Sequence, residues 1–107
     1  MISTHILDTT TGNPAGNVEV NLEKRDGESW TPVATAKTND DGRIAYDCAY
    51  EPGDYRLTFK IEQYFSDSSR EYFFLDTPIA FRITDTKRKY HVPLLLNPYG
   101  MSTYRGS

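Results

Sequence analysis

The stretch Tyr55-Arg56-Leu57-Thr58-Phe59-Lys60-Ile61 places an apolar residue at every second position and a polar one between. Successive side chains of a β-strand point to opposite faces, so this run makes a strand with one buried face and one wet or partner-facing face. Two further runs repeat the period: Val18, Val20 and Leu22 alternate with Glu19, Asn21 and Glu23, and Ile79, Phe81 and Ile83 alternate with Ala80, Arg82 and Thr84. Around them, turn residues recur at Gly12-Asn13-Pro14, Asp26-Gly27, Asn39-Asp40-Asp41-Gly42, Glu51-Pro52-Gly53-Asp54, Asp76-Thr77-Pro78 and Asn97-Pro98. Short strands broken by frequent turns predict an all-β sandwich or barrel. One segment, Glu62 to Arg70, lacks clean alternation, and its Glu, Gln and Ser content predicts about two turns of helix.

At 107 residues the chain has room for one hydrophobic core, so residues 1–107 are read as one domain. Eight tyrosines predict interior positions that keep a polar tip near water or a partner, and so small a chain is expected to finish burying its apolar surface by oligomerising. The net charge of -3 and the lack of a basic stripe argue against nucleic acid as a partner. No apolar stretch approaches the roughly 20 residues of a membrane helix, and the start MISTHILD lacks the basic and apolar regions of a secretory signal. A soluble, cytoplasmic protein is therefore expected, with no membrane partner. The single cysteine, Cys48, cannot close an intramolecular disulfide, which accords with a reducing compartment. It shares strand parity with Ile44 and Tyr46 and is read as a small core hydrophobe.

Both histidines, His5 and His91, fall inside expected strands near opposite ends of the chain. In Tyr90-His91-Val92-Pro93-Leu94-Leu95-Leu96, parity turns His91 away from the apolar set Tyr90, Val92 and Leu94. Pro93 cannot donate a ladder hydrogen bond, which predicts a sheet edge or a bulge, and an outward histidine there suits a subunit interface. Arg43 follows the Asn39–Gly42 turn and opens the next strand, at the rim of the sandwich. It reads either as a solvated strand-end cation or as a planar donor fork for carbonyl oxygens or an anion. Taken singly, each histidine reads as structural. Two histidines without Cys, Asp or Glu at ligand spacing fall short of the three or four protein ligands zinc takes, so no metal and no cofactor are expected. No G-x-S-x-G pattern is present, and Cys48 has no histidine at a useful spacing, which leaves covalent catalysis unsupported.

Four segments together resemble the 5-hydroxyisourate hydrolase family, also called transthyretin-related proteins. They are Ser3-Thr4-His5-Ile6-Leu7-Asp8 with Gly12-Asn13-Pro14-Ala15, the turn Thr38-Asn39-Asp40-Asp41-Gly42-Arg43, the strand Tyr90–Leu96, and the terminal Tyr104-Arg105-Gly106-Ser107. Their order and spacing cover residues 2–107. The resemblance implies a transthyretin-like sandwich of two four-stranded sheets with one short helix, assembled as a homotetramer, a dimer of dimers with active sites at the dimer–dimer interface. It implies hydrolysis of 5-hydroxyisourate to 2-oxo-4-hydroxy-4-carboxy-5-ureidoimidazoline in urate catabolism. Carried over by position, the family's catalytic set falls on His5, Arg43, His91 and Ser107, with Tyr104, Arg105 and Gly106 joining them in binding substrate. Lys89 stands where a histidine is frequent in the family, and Met101 where an aromatic is frequent.

On this reading water is the nucleophile. His91 is the expected base, aided by Ser107, because an unperturbed imidazole titrates near neutral pH. Arg43 holds ring carbonyls and developing negative charge, and His5 positions substrate or relays the proton. The main rival is a carrier, since the transthyretin fold also binds hormones in a channel and fold alone does not decide function. A hydrophobic channel has no use for the His5, Arg43, His91 and tail combination. A second rival, a structural or adhesive sandwich module, is disfavoured because the chain lacks the cysteine pair common in extracellular modules.

Overall fold

The structure, a computed structural model, describes residues 1–106. Two sheets pack face to face. The first runs β4-β3-β6-β7, where β3 is Glu19–Asp26, β4 Ser29–Lys37, β6 Gly53–Phe59 and β7 Thr77–Ile83, and all its neighbours pair antiparallel. The three alternating runs of the sequence are thus three adjacent strands. Val20 and Leu22, Leu57 and Phe59, and Ile83 all point inward.

The second sheet is built around β1 (Ile2–Asp8). On one edge β1 pairs antiparallel with β5 (Arg43–Tyr46) and briefly with β2 (Asn13–Pro14). On the other it pairs parallel with β8 (Tyr90–His91) and β9 (Leu94–Asn97), which continue one line on either side of Val92–Pro93, and β9 pairs with β10 (Gly100–Thr103). This gives four principal strands facing the four of the first sheet. One helix, α1 (Ile61–Asp67), makes the two turns expected within Glu62–Arg70 but begins at Ile61, which turns into the core with Phe65 instead of extending β6, so the expected Tyr55–Ile61 strand stops at Phe59.

The strand through Pro93 does not lie at a sheet edge, because it runs between β1 and β10. What it shows instead is an interruption. The hydroxyls of Thr4 and Thr103 donate to the carbonyls of Val92 (2.7 Å) and Pro93 (2.7 Å), so side chains from both flanking strands satisfy the acceptors at the break. Cys48 lies beyond the end of β5 and is half-buried, packed against the core rather than within it.

Inward positions of β1 end on a charge. Asp8, 1% exposed, accepts hydrogen bonds from the Tyr64 hydroxyl (2.7 Å), the Arg70 guanidinium (2.6 Å) and the Thr10 amide (3.0 Å). Burial pushes its carboxyl up, but the Arg70 and Tyr64 hydrogen bonds outweigh that and hold it below its ordinary value. The contact ties α1 and the segment after it to the end of β1, three residues from His5. Among the described residues no helix is long and apolar enough to cross a membrane.

Candidate active site on the outer face of the second sheet

Strand parity assembles the site. In β1, Ile2, Thr4, Ile6 and Asp8 face the core, so Ser3 and His5 face outward. The antiparallel ladder sets His5 opposite Arg43, and the parallel ladder sets Ser3 opposite His91. Tyr90 and Val92 are buried, which turns His91 out of the sandwich as its parity required. Residues 5, 43 and 91, far apart in the chain, therefore share one face of three adjacent strands.

The Arg43 position depends on the turn before it. The Asn39 side-chain oxygen accepts from the amides of Asp41 (2.9 Å) and Arg43 (3.0 Å), folding the loop back on itself. Gly42 sits at φ +73°, and a Cβ there would lie 2.5 Å from the Ile6 carbonyl oxygen. Only glycine allows β5 to begin so close against β1. The turn delivers Arg43 to an open cavity of about 380 Å³ that it lines with Ser3, Asn39, Ala45 and His91.

His91 is held on two sides. Its Nδ1 lies 2.8 Å from Ser3 Oγ, the only hydrogen bond to its ring among the described residues. Gly106 returns to pair with it, its amide donating to the His91 carbonyl at 2.8 Å, and a Cβ on Gly106 would stand 2.6 Å from His91 Cδ2. Burial, together with the nearby charges of Arg43 and His5, pushes the His91 imidazole below its ordinary value. A ring so placed is neutral at pH 7, with a lone pair available to take a proton.

The remaining expected residues divide. Gly106 belongs to the His91 environment. Tyr104 and Arg105 line a separate cavity of about 320 Å³ with Ile79, Phe81 and Tyr90, on the other side of the sheet's end. Ser107 lies outside the described residues. Lys89 is exposed, and Met101 packs against the core. Among the described residues no group of three or more His, Cys, Asp or Glu side chains gathers where it could hold an ion. Ser3 was not singled out by sequence reasoning, although it stands two residues before His5 and so shares its face.

The sequence profile of the HIUase/Transthyretin family matches residues 2–106. The 5-hydroxyisourate hydrolase of Salmonella dublin is 49% identical over 110 residues, spanning 100% of this chain and 81% of that protein. The structure of Klebsiella pneumoniae 5-hydroxyisourate hydrolase superposes with a TM-score of 0.87 at 40% identity, covering 99% of this chain and 98% of that one. Sea bream transthyretin in complex with thyroxine superposes with a TM-score of 0.91 at 26% identity, covering 98% and 93%. The fold thus fits a 5-hydroxyisourate hydrolase and a thyroxine-bound transthyretin about equally well, whereas sequence identity runs higher toward the hydrolases. On the profile, the identities and the shared architecture together, this chain belongs to the HIUase/Transthyretin family.

Proposed function

We propose that this protein hydrolyses 5-hydroxyisourate to 2-oxo-4-hydroxy-4-carboxy-5-ureidoimidazoline, with His91 as the general base. The observation that carries the chemistry is an outward imidazole bordering the same cavity as Arg43, with burial holding it below its ordinary value. His91 takes a proton from water as the water oxygen attacks the ring carbonyl. Arg43 offers its planar donor fork to the oxygen on which negative charge develops. Collapse of the tetrahedral intermediate breaks the ring C–N bond, and the proton held on His91 passes to the leaving nitrogen. His5, opposite Arg43 in the ladder, positions the substrate or relays that proton, Gly106 beside His91 and Ser107 join the binding set, and Tyr104 and Arg105 would join it from the neighbouring cavity that they line. The polar side chains that line the cavity, Ser3, Asn39, Arg43 and His91, are groups an apolar hormone channel does not require.

The same reading takes residues 1–107 as one cytoplasmic domain and makes the working unit a homotetramer with the sites covered between dimers. Three features support the assembly. The cavity is open to solvent, and Arg43 beside it is exposed, so a second subunit on this face would exclude bulk water. Strands β7 and β10 each end a sheet with one edge unpaired within the chain, a natural template for pairing with another copy. Phe73, Leu75 and Tyr99 are each about two-thirds exposed, more apolar surface than water favours.

The test is to generate 5-hydroxyisourate freshly from urate with urate oxidase and to follow its near-ultraviolet decay against the spontaneous rate. The wild type accelerates decay, and His91→Asn loses about 10²–10⁴-fold in kcat, the range of general acid–base groups. A His91→Asn protein that keeps its rate removes His91 from the role of base. Because the base works unprotonated, kcat/KM rises with pH along a limb whose midpoint lies below 6.5, the ordinary histidine value. A midpoint at or above that value contradicts the assignment.

A further inference from the structure

We infer that Ser3 is a positioning residue for His91: its hydroxyl fixes the imidazole and accepts the Nδ1–H of the imidazolium that forms when Nε2 takes the proton from water. The inference rests on the reading of His91 as the base. Its geometry is the 2.8 Å approach of Ser3 Oγ to Nδ1 across the parallel ladder.

The contact is pre-organised from both strands. The Val92 amide donates to the Ser3 carbonyl (2.9 Å) and the Tyr90 amide to the Met1 carbonyl (2.9 Å), so the backbones flanking the two side chains are locked together. On the ring's other side, the bare Cα of Gly106 leaves room for the imidazole edge and for nothing larger. The ring therefore has one orientation, with Nδ1 on Ser3.

A hydroxyl is suited to this position because it both donates and accepts. Neutral imidazole carries one N–H and one lone pair, whereas imidazolium carries two N–H groups and no lone pair. When Nε2 gains a proton, Nδ1 must be a donor, and Ser3 Oγ serves as its acceptor after at most a rotation of the hydroxyl. The hydrogen bond becomes charge-assisted at the moment positive charge appears, which is the kind of interaction that raises kcat rather than tightening substrate binding. The charges facing His91 from neighbouring elements, His5 on β1 and Arg43 on β5, oppose that protonation. Among the described residues Ser3 is the one hydrogen-bond partner of the ring, and it favours that protonation. A carboxylate in the same place would hold the imidazole charged before substrate arrived, and an alanine would leave the imidazolium without an acceptor.

The test uses the full chain with histidines labelled at the ring nitrogens, comparing wild type, Ser3→Ala, Ser3→Thr and His91→Asn. The last variant assigns the His91 signals. We expect the His91 titration midpoint to fall in Ser3→Ala by roughly one pH unit, the worth of one hydrogen bond to a charged group. We expect kcat to fall about tenfold with KM changed less than about twofold, and Ser3→Thr, which keeps the hydroxyl, to restore both. A midpoint identical in Ser3→Ala and wild type overturns the inference, and so does a lowered midpoint with undiminished kcat. The base reading fails on a different variant: full rate in His91→Asn sinks it, and the catalytic purpose of Ser3 with it.

Discussion

The outer faces of the two sheets use their cations in opposite ways. On β3-β6-β7 the cations are satisfied at home. Arg56 forks onto Glu23 (2.9 and 3.1 Å) and stacks over Trp30, and Arg82 pairs with Asp54 at 2.8 Å. On the β1-β5-β8 face Arg43 has no carboxylate partner among the described residues, and its neighbours are two imidazoles. A protein that leaves a donor fork without a counterion forgoes stability there, and such arrangements accompany ligand sites. The first face pairs its cations within the fold, and the second leaves Arg43 available to the substrate of the proposed reaction.

Exchanging each cation for methionine, which keeps most of the side-chain length, puts that contrast to the test. The largest loss of stability should come from Arg70→Met, which leaves the Asp8 carboxylate buried without its counterion. Denaturant unfolding should show a loss of about 3–5 kcal/mol, the cost of stranding a buried charge. Since the native contacts hold Asp8 below its ordinary value, this contribution is present at neutral pH and disappears in acid, as the pH falls through the folded value below 3.8. Next comes Arg43→Met, with kcat/KM for 5-hydroxyisourate down about 10²–10³-fold and the thermal midpoint no lower than that of wild type. A destabilised Arg43→Met with normal turnover would make Arg43 a structural cation and erase the contrast. Smallest is Arg56→Met, with stability down by about 1 kcal/mol and turnover untouched, since Glu23 keeps its Thr58 hydrogen bond and, unlike Asp8, part of its contact with water. A loss of turnover there would show that the first sheet's face also takes part in function.

How much of this was legible in the sequence varies by strand. β3, β6 and β7 announce themselves because one face of each is buried and the other wet, so their hydrophobicity has period two. β4 does not: it is an edge strand in which Ala34 and Ala36 are half-buried while Thr31, Pro32, Val33 and Thr35 are exposed, and its register slips by a residue opposite Leu22 and Glu23. Small residues facing inward leave no amplitude for a pattern to show. Pro93 correctly signalled a break in its strand but not an interior position, because the hydroxyls that satisfy the acceptors at the break come from Thr4 and Thr103, distant in sequence. At the site, parity alone turned His91 outward. The meeting of His5, Arg43 and His91 followed from resemblance, since only the register of three strands places them together. Ser3 and the steric need for Gly106 became visible once the ladders were known.

The parallel pairing of β1 with β8 has a consequence during synthesis. Ser3 and His91 are 88 residues apart, and at about 5–20 residues per second the ribosome delivers the second roughly 4–18 seconds after the first. Throughout that interval β1 has only β2 and β5 to pair with, while Ile2 and Ile6 wait for the core that β9 will help to close. Contacts so distant in sequence form late and slowly. A nascent chain is therefore exposed to strand-to-strand association with its neighbours until β9 emerges, and a mutation that weakens β9 should reduce the yield of soluble protein before it alters any rate constant.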